Sequence, residues 1–469
     1  MMRLCVWISL LVSVLLQSIY SQDITISGNF PTYEGDKLSF YAYKDYITCT
    51  PKGLASSEVD SLGNFSCTIH TNHTIETFLD IGKYKGILII EPGKNYTIEL
   101  PDKIERSRQD KLNPFFEPVT FYINILNSQE TILNNVIRQF TDTFNRYYDH
   151  NIGMLLKRPN FNKLNTDLES IYAPFKSVNS PFADTYIYYK FGTLRHMALQ
   201  FKVDAISDSY FLNKEIHYYN PAYMEFFNQV YDRYFIFFGR TEYGKKIHQD
   251  IAKASYSDLI NTLSQDKILS NDTLMELVVL KNIYDGFYSD DFSRSALLFI
   301  LDSLIQQSKV PYHKEVGQNI KEKVTRLMSG YKPPMFSLYN EKNQLITLDD
   351  LKGEYIYLNF CASSSYSCLR EYELLKDIDL RLKKYVKIVT IVVDENFSLT
   401  LNLIKKYDYS WTFLHYGNQP GIINDYDIRG YPTYYLIGPE GKLIFSPSPS
   451  PLENFDYYFF KLLKDRGEL

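Results

Sequence analysis

The spacing of hydrophobic and polar positions changes twice along this 469-residue chain. From residue 22 to about 103 it alternates in short runs. Ile24-Thr25-Ile26, Leu38 to Ala42 and Phe65 to Ile69 have the period of two expected of half-buried strands. Asp60-Ser61-Leu62-Gly63-Asn64-Phe65 predicts a hairpin turn between two of them. A second strand–turn–strand is predicted from Gly86 through Glu91-Pro92-Gly93-Lys94-Asn95 to Ile98. Residues 22–103 are therefore expected to form a β-sandwich domain.

Over 104–330 the period lengthens and a helical domain is expected. Ile132, Val136, Phe140, Phe144 and Tyr148 recur every four residues and predict one buried helix face. Asn220-Pro221 reads as a helix cap followed by proline at the first helical position. Thr273 with Glu276 reads as a capping box. The charged run Glu105 to Asn113 reads as a linker.

Over 331–469 strands and helices alternate. Tyr355 to Phe360 predicts a buried strand, Leu369 to Tyr385 a helix, Val386 to Val393 a second strand and Thr433 to Ile437 a third. Such alternation implies α/β layering. The fold class expected for the whole chain is multidomain α+β: a β-sandwich, a helical middle domain and a C-terminal α/β domain.

Residues 1–21 carry a different pattern. Arg3 precedes the apolar run Val6 to Leu16, and small and polar residues follow to Ser21. This predicts a secretory signal peptide cleaved after Ser21. The run is too short to span a membrane, so an exported protein of the periplasm or cell envelope without an integral span is expected.

The net charge of -5 argues against nucleic acid as a partner. Tyrosine is abundant, with 41 copies. Its amphipathic ring suits packing between helices, and also a partner surface in the 104–330 region. Neither the eight histidines nor the Cys67, His70, His73 cluster predicts a metal site, because alternation puts Cys67 and His70 on opposite faces of one strand. Gly239 to Lys246 misses the phosphate-loop pattern at its last position. No cofactor is expected.

Export changes how the cysteines read. Cys5 leaves with the signal, and Cys49, Cys67, Cys361 and Cys368 remain. In an oxidising compartment Cys49 and Cys67 could pair, or stay buried thiols; sequence alone leaves both open.

The text Pro334-Met-Phe-Ser-Leu, Ile346-Thr-Leu-Asp-Asp-Leu-Lys-Gly353, Tyr357-Leu-Asn-Phe360, Asp427-Ile-Arg-Gly-Tyr-Pro-Thr433 and Leu436-Ile-Gly-Pro-Glu-Gly-Lys442 resembles the TlpA/ResA type of exported thioredoxin-like reductase. The resemblance covers about 135 residues. It implies a thioredoxin fold with a β-hairpin before its core. The 22–103 stretch is similar to the small β-sandwich that precedes such domains in Bacteroidota-type bacteria.

The resemblance also assigns roles. Cys368 falls on the second cysteine of the family's Cys-x-x-Cys, and Ser365 on the first, nucleophilic one. Glu371 falls on the acidic residue that handles protons beside it. Tyr431-Pro432 falls on the cis-proline that presents backbone to bound polypeptide. Asn359 replaces a buried aspartate, and Cys361 falls where the family has tryptophan.

The departure at Ser365 puts the two-sulfur cycle in doubt, because exchange needs one sulfur to attack and one to resolve. Three readings follow. In the first, the domain binds extended polypeptide, or a partner protein of the cell envelope, without completing the cycle. In the second, it remains an active oxidoreductase using Cys368, with or without Cys361. In the third, the Tyr-rich helical region is the interaction module. Ser365-Tyr-Ser-Cys368 also fits the Thr/Ser-x-x-Cys of peroxiredoxins, but Cys361 and Pro432 depart from that pattern.

Overall fold

The computed structural model describes residues 22–469 except 108, 111, 112, 114, 115, 128, 129, 158, 199–202 and 418. The expected signal peptide and its cleavage site lie outside the described residues. The chain forms two compact units: residues up to Glu105 with Pro118–Lys321, and Arg106–Glu117 with Glu322–Leu469. The architecture is an N-terminal β-sandwich, a helical middle region and a C-terminal α/β domain.

In the first unit, strands β1 (Gln22–Asn29), β4 (Asn64–Thr71), β7 (Tyr96–Glu99) and β9 (Asn124–Ile125) form one sheet, in the order β4-β1-β7-β9. Strands β2 (Lys37–Tyr43), β3 (Pro51–Glu58), β5 (Ile75–Ile81), β6 (Tyr84–Ile90) and β8 (Val119–Tyr122) form the other, in the order β3-β2-β5-β6-β8. Ile24, Ile26, Phe40, Phe65, Leu79, Leu88, Tyr96 and Ile98 fill the space between them. Alternation sets this packing: along β4 every second residue is buried.

Both predicted hairpins are corrected. The turn after β3 reverses the chain as expected, with Asp60 Oδ1 accepting the N–H groups of Leu62 and Asn64. Its two strands, however, enter different sheets, and so do β6 and β7. Turn chemistry fixes the reversal, while the sheet is chosen by which apolar face must be covered. The short strands β8 and β9 lie inside the interval expected to be helical.

The long helix Ile132–Lys157 buries Leu133, Val136, Ile137, Phe140 and Phe144, leaving Ile132 exposed. A strict spacing of four drifts off one face, because a turn holds 3.6 residues. The side chain of Asn134 on this helix bonds both backbone groups of Ile89, so β6 is covered on its outer side as well. Asn220 caps the helix Pro221–Val230 as predicted. The capping box does not form: Asn271 caps the helix Asp272–Phe287, and Glu276 instead binds Ser308 and His313.

Cys49 and Cys67, whose pairing the sequence left open, are not joined by a disulfide. Cys67 points into the sandwich core, where burial pushes its thiol up to about 11. Cys49 is exposed in the turn after β2, which Asp45 pins by accepting from Ile47, Thr48 and Asn319.

The second unit holds a seven-stranded sheet, formed by β10 (Ser337–Asn340), β11 (Leu345–Thr347), β12 (Tyr355–Cys361), β13 (Val386–Val392), β14 (Thr412–His415), β15 (Thr433–Ile437) and β16 (Leu443–Phe445). The order is β11-β10-β14-β13-β12-β15-β16. β10 and β11 form the expected extra hairpin. β12 lies parallel to β13 and antiparallel to β15. Every residue of β12 is buried because both sheet faces are covered. Tyr355, Tyr357 and Cys361 face one apolar cluster, while Ile356, Leu358 and Phe360 face the other.

Candidate functional site

β12 ends at Cys361, and the chain turns through Ala362-Ser363-Ser364-Ser365 into the helix Tyr366–Leu382. Ser365 stands where the resemblance expects the attacking sulfur. Its backbone N–H donates to the Ala362 carbonyl at 3.0 Å, and its Oγ accepts the N–H of Cys368 at 3.4 Å. Ser365 is thus the N-cap of the helix.

Cys368 sits in the first helical turn with 0% exposure. Its thiol is held below its ordinary value. The Cys361 thiol contributes most to that; burial opposes it, and the Ala362 N–H and the Ser365 hydroxyl assist. Cys361 also shows 0% exposure, and burial followed by the Cys368 sulfur pushes its thiol well up. The two sulfurs that the sequence left as an open pair therefore face each other. Tyr372, one turn along the helix from Cys368, lies against the same cluster.

Glu371 follows on the same helix face and is 5% exposed. Its Oε2 is buried without a hydrogen-bond partner. Burial raises its carboxyl above the ordinary range, and the Tyr434 hydroxyl beside it offsets part of that cost. A carboxyl so placed favours its protonated form next to two thiols.

The second wall comes from β15. Its register pairs Thr433 with Phe360, which sets Pro432 beside the end of β12 at Cys361. The Tyr431–Pro432 peptide bond is cis, and both residues are half-buried. Burial pushes the Tyr431 hydroxyl up to about 12. The structure therefore brings Ser365, Cys368, Glu371, Tyr431 and Pro432 together at the C-terminal end of β12. Tyr366, 80% exposed, projects from the helix start. Arg429 is turned to Asp427 at 3.1 Å.

Asp394 was not singled out in the sequence. It lies two residues after the end of β13 and is fully buried. Its carboxylate accepts the Ser363 N–H at 3.1 and 3.2 Å and the Thr400 hydroxyl at 3.0 Å. This clamps the turn that carries Ser365. The signal available in the sequence was a charged residue ending the apolar run Ile388 to Val393. Asn359, on the Cys361 face of β12, donates to the Val389 carbonyl at 3.4 Å.

Residues 329–446 match the AhpC/TSA family. Over 139 residues the chain is 27% identical to the thiol-disulfide oxidoreductase ResA of Bacillus subtilis (strain 168), spanning 29% of this chain and 77% of that protein. It is 28% identical over 154 residues to ResA of Bacillus cereus (strain ATCC 10987 / NRS 248), spanning 32% of this chain and 87% of that one. Among solved structures, a thiol-disulfide oxidoreductase from Bacteroides fragilis is 26% identical, covering 28% of this chain and 98% of that chain with a TM-score of 0.26. The C-terminal unit thus holds an AhpC/TSA-type thioredoxin-like domain over residues 329–446, similar to the ResA thiol-disulfide oxidoreductases. Among the described residues, no helix is long and apolar enough to cross a membrane.

Proposed function

We propose that this chain is an exported thioredoxin-like protein that binds extended polypeptide along the edge formed by Ser365, Tyr366, Tyr431 and Pro432, without running the family's exposed two-cysteine cycle. One observation carries this reading. At the outward position of the turn stands Ser365, whose hydroxyl caps the helix, while the remaining sulfur, Cys368, is fully buried. Exchange with a protein disulfide requires an accessible thiolate, and this turn presents none to a partner.

What the turn does present suits polypeptide recognition. Tyr366 offers a large exposed ring, and aromatic anchors dominate binding energy at such surfaces. Tyr431 and Pro432 supply a second, half-buried wall. Glu371 is a proton-handling group in this reading, its carboxyl raised above the ordinary range by burial.

The test pairs two assays on the mature full chain. Insulin reduction with the wild type and with Cys368→Ser is expected to show no turnover in either. A fluorescent extended peptide is expected to bind, and Tyr366→Ala to weaken it roughly tenfold, the loss of one aromatic anchor. Turnover that disappears in Cys368→Ser would overturn the reading, as would an affinity unchanged by Tyr366→Ala and Pro432→Ala together.

A further inference from the structure

The first unit carries a cavity that the polypeptide-binding reading does not use. On the helix Pro181–Met197, the positions Asp184, Tyr188, Phe191 and Arg195 follow at steps of four, three and four, so they lie along one side. All four line a cavity of about 570 Å³, to which Tyr172 and Lys214 also contribute. Pockets of roughly 300–1,000 Å³ hold small molecules.

Two cations converge on one wall. Arg195 donates through Nη1 to the Tyr210 hydroxyl oxygen at 2.7 Å, and Lys214 Nζ donates to the Tyr188 hydroxyl oxygen at 3.4 Å. The centroids of the Tyr188 and Tyr210 rings are 4.7 Å apart. Burial pushes the Tyr210 hydroxyl up, and both Arg195 and Lys214 pull against that rise. Tyr188 donates its own proton to the Ser209 carbonyl at 3.0 Å.

This wall is rich in donors and poor in acceptors. Among the described residues neither Arg195 nor Lys214 has a carboxylate at ion-pair distance, and nothing accepts the Tyr210 O–H. A guanidinium presents five N–H groups, and the Tyr210 oxygen takes one of them. The last carbonyls of the helix give Arg195 some negative charge nearby, which steadies the cation but does not replace a counter-ion. Lys214 is exposed and Arg195 half-buried, so both are reached from solvent. Tyr188, at 38% exposure, is reached as well.

We propose that this cavity binds a small aromatic monocarboxylate. Its carboxylate is taken by Arg195, Lys214 and the Tyr210 O–H, and its ring lies against Tyr172 and Tyr188. The planar fork of a guanidinium matches the two oxygens of a carboxylate. The body is aromatic because tyrosine rings form the adjoining wall. The charge is single because Glu169 and Asp184 line the same cavity and repel a second negative charge. Asp184 is itself turned to the Tyr172 hydroxyl at 3.2 Å, away from neither cation's service as a partner. The proposal stands on the first unit alone, whatever the edge at Pro432 binds.

The test titrates 2-naphthoate into the mature full chain, followed by ligand-observed NMR. 2-Naphthylmethanol serves as the uncharged control and 2-naphthyl phosphate as the dianion; phenylacetate and indole-3-acetate are run in parallel. The wild type is expected to bind 2-naphthoate, and the alcohol roughly tenfold more weakly, the loss of bonds to charged donors. Arg195→Gln is expected to weaken 2-naphthoate by a similar factor while leaving the alcohol unchanged. A variant that merely failed to fold would lose both ligands. Lys214→Met, on an exposed residue outside any helix, is expected to weaken 2-naphthoate several-fold and gives a second reading where Arg195→Gln folds poorly.

The proposal is overturned if none of the three carboxylates binds, if the wild type takes alcohol and acid equally, or if both variants keep the full affinity for 2-naphthoate. Tighter binding of 2-naphthyl phosphate would overturn the single charge. Tighter binding of a short peptide ending in phenylalanine would replace the small molecule by a chain terminus.

Discussion

The hydroxyl of Ser365 accepts the backbone N–H of Cys368 at 3.4 Å, so the residue standing in place of a nucleophilic sulfur is structurally employed as a helix cap. A cysteine sulfur is a weak acceptor by comparison. A serine at this position thus favours the helix start that positions Cys368.

Ser365→Ala should remove that cap. N-cap losses cost about 1 kcal/mol. The midpoint of the C-terminal unit's transition in chemical denaturation should fall accordingly, and Ser365→Thr should restore most of it. Equal stability in all three proteins would show that the cap contributes nothing.

Asp394→Ala should have two effects. It leaves the buried Thr400 hydroxyl and the half-buried Ser363 N–H without this acceptor, which costs roughly 1–3 kcal/mol. It also releases the turn, so iodoacetamide should alkylate Cys368 faster in the native protein while Cys67 in the other unit keeps its rate. A Cys368 rate that does not change would remove Asp394 from the positioning of this turn.

Glu371→Gln tests the raised carboxyl. Because burial lifts its folded value above the ordinary 4.5, the folded state holds this proton more tightly than the unfolded state does. Stability from this group is therefore full below the ordinary value and is lost as pH rises through the raised one. The glutamine variant has no such loss. It should be more stable than the wild type at pH 7, and the difference should vanish as the pH falls below 4.5. An advantage that persisted in acid would point to packing instead.

The parts of this architecture that depend on local pattern were legible in the sequence. β12 was readable because both of its faces are apolar from Tyr355 to Phe360, and the Cys361 to Cys368 turn because a buried strand runs directly into a helix. The cap of Asn220 needed only its neighbours. What escaped depends on contacts far along the chain. The turn at Asp60 could not reveal that its strands part into two sheets. Asp394 gained its meaning only when β13 placed it opposite Ser363, 31 residues away in sequence. The apposition of Cys361 and Cys368 stayed open for the same reason: their spacing says nothing of how tightly the turn closes. Glu276 looked like a capping residue and went instead to His313, because a buried imidazole 37 residues away is the stronger claim on its carboxylate.

Ser365→Cys asks whether the site is one sulfur short of an exchange centre. The new thiol would stand at the helix N-terminus in a partly exposed position, where the helix dipole favours thiolate. Cys368, three residues on, would be its resolving partner, and Tyr431 and Pro432 already supply the facing wall. The variant should reduce insulin where the wild type does not, and Ser365→Cys with Cys368→Ser should be inactive again. Cys361 complicates the outcome in an informative way. It shares an apolar cluster with Cys368, so it offers a second thiol that competes with the new one for the same sulfur. Cys361→Ala combined with Ser365→Cys should therefore turn over faster than Ser365→Cys alone. If both variants fold with wild-type circular dichroism and neither reduces insulin, the edge lacks the geometry of an exchange site, and its likeness to one stops at the backbone.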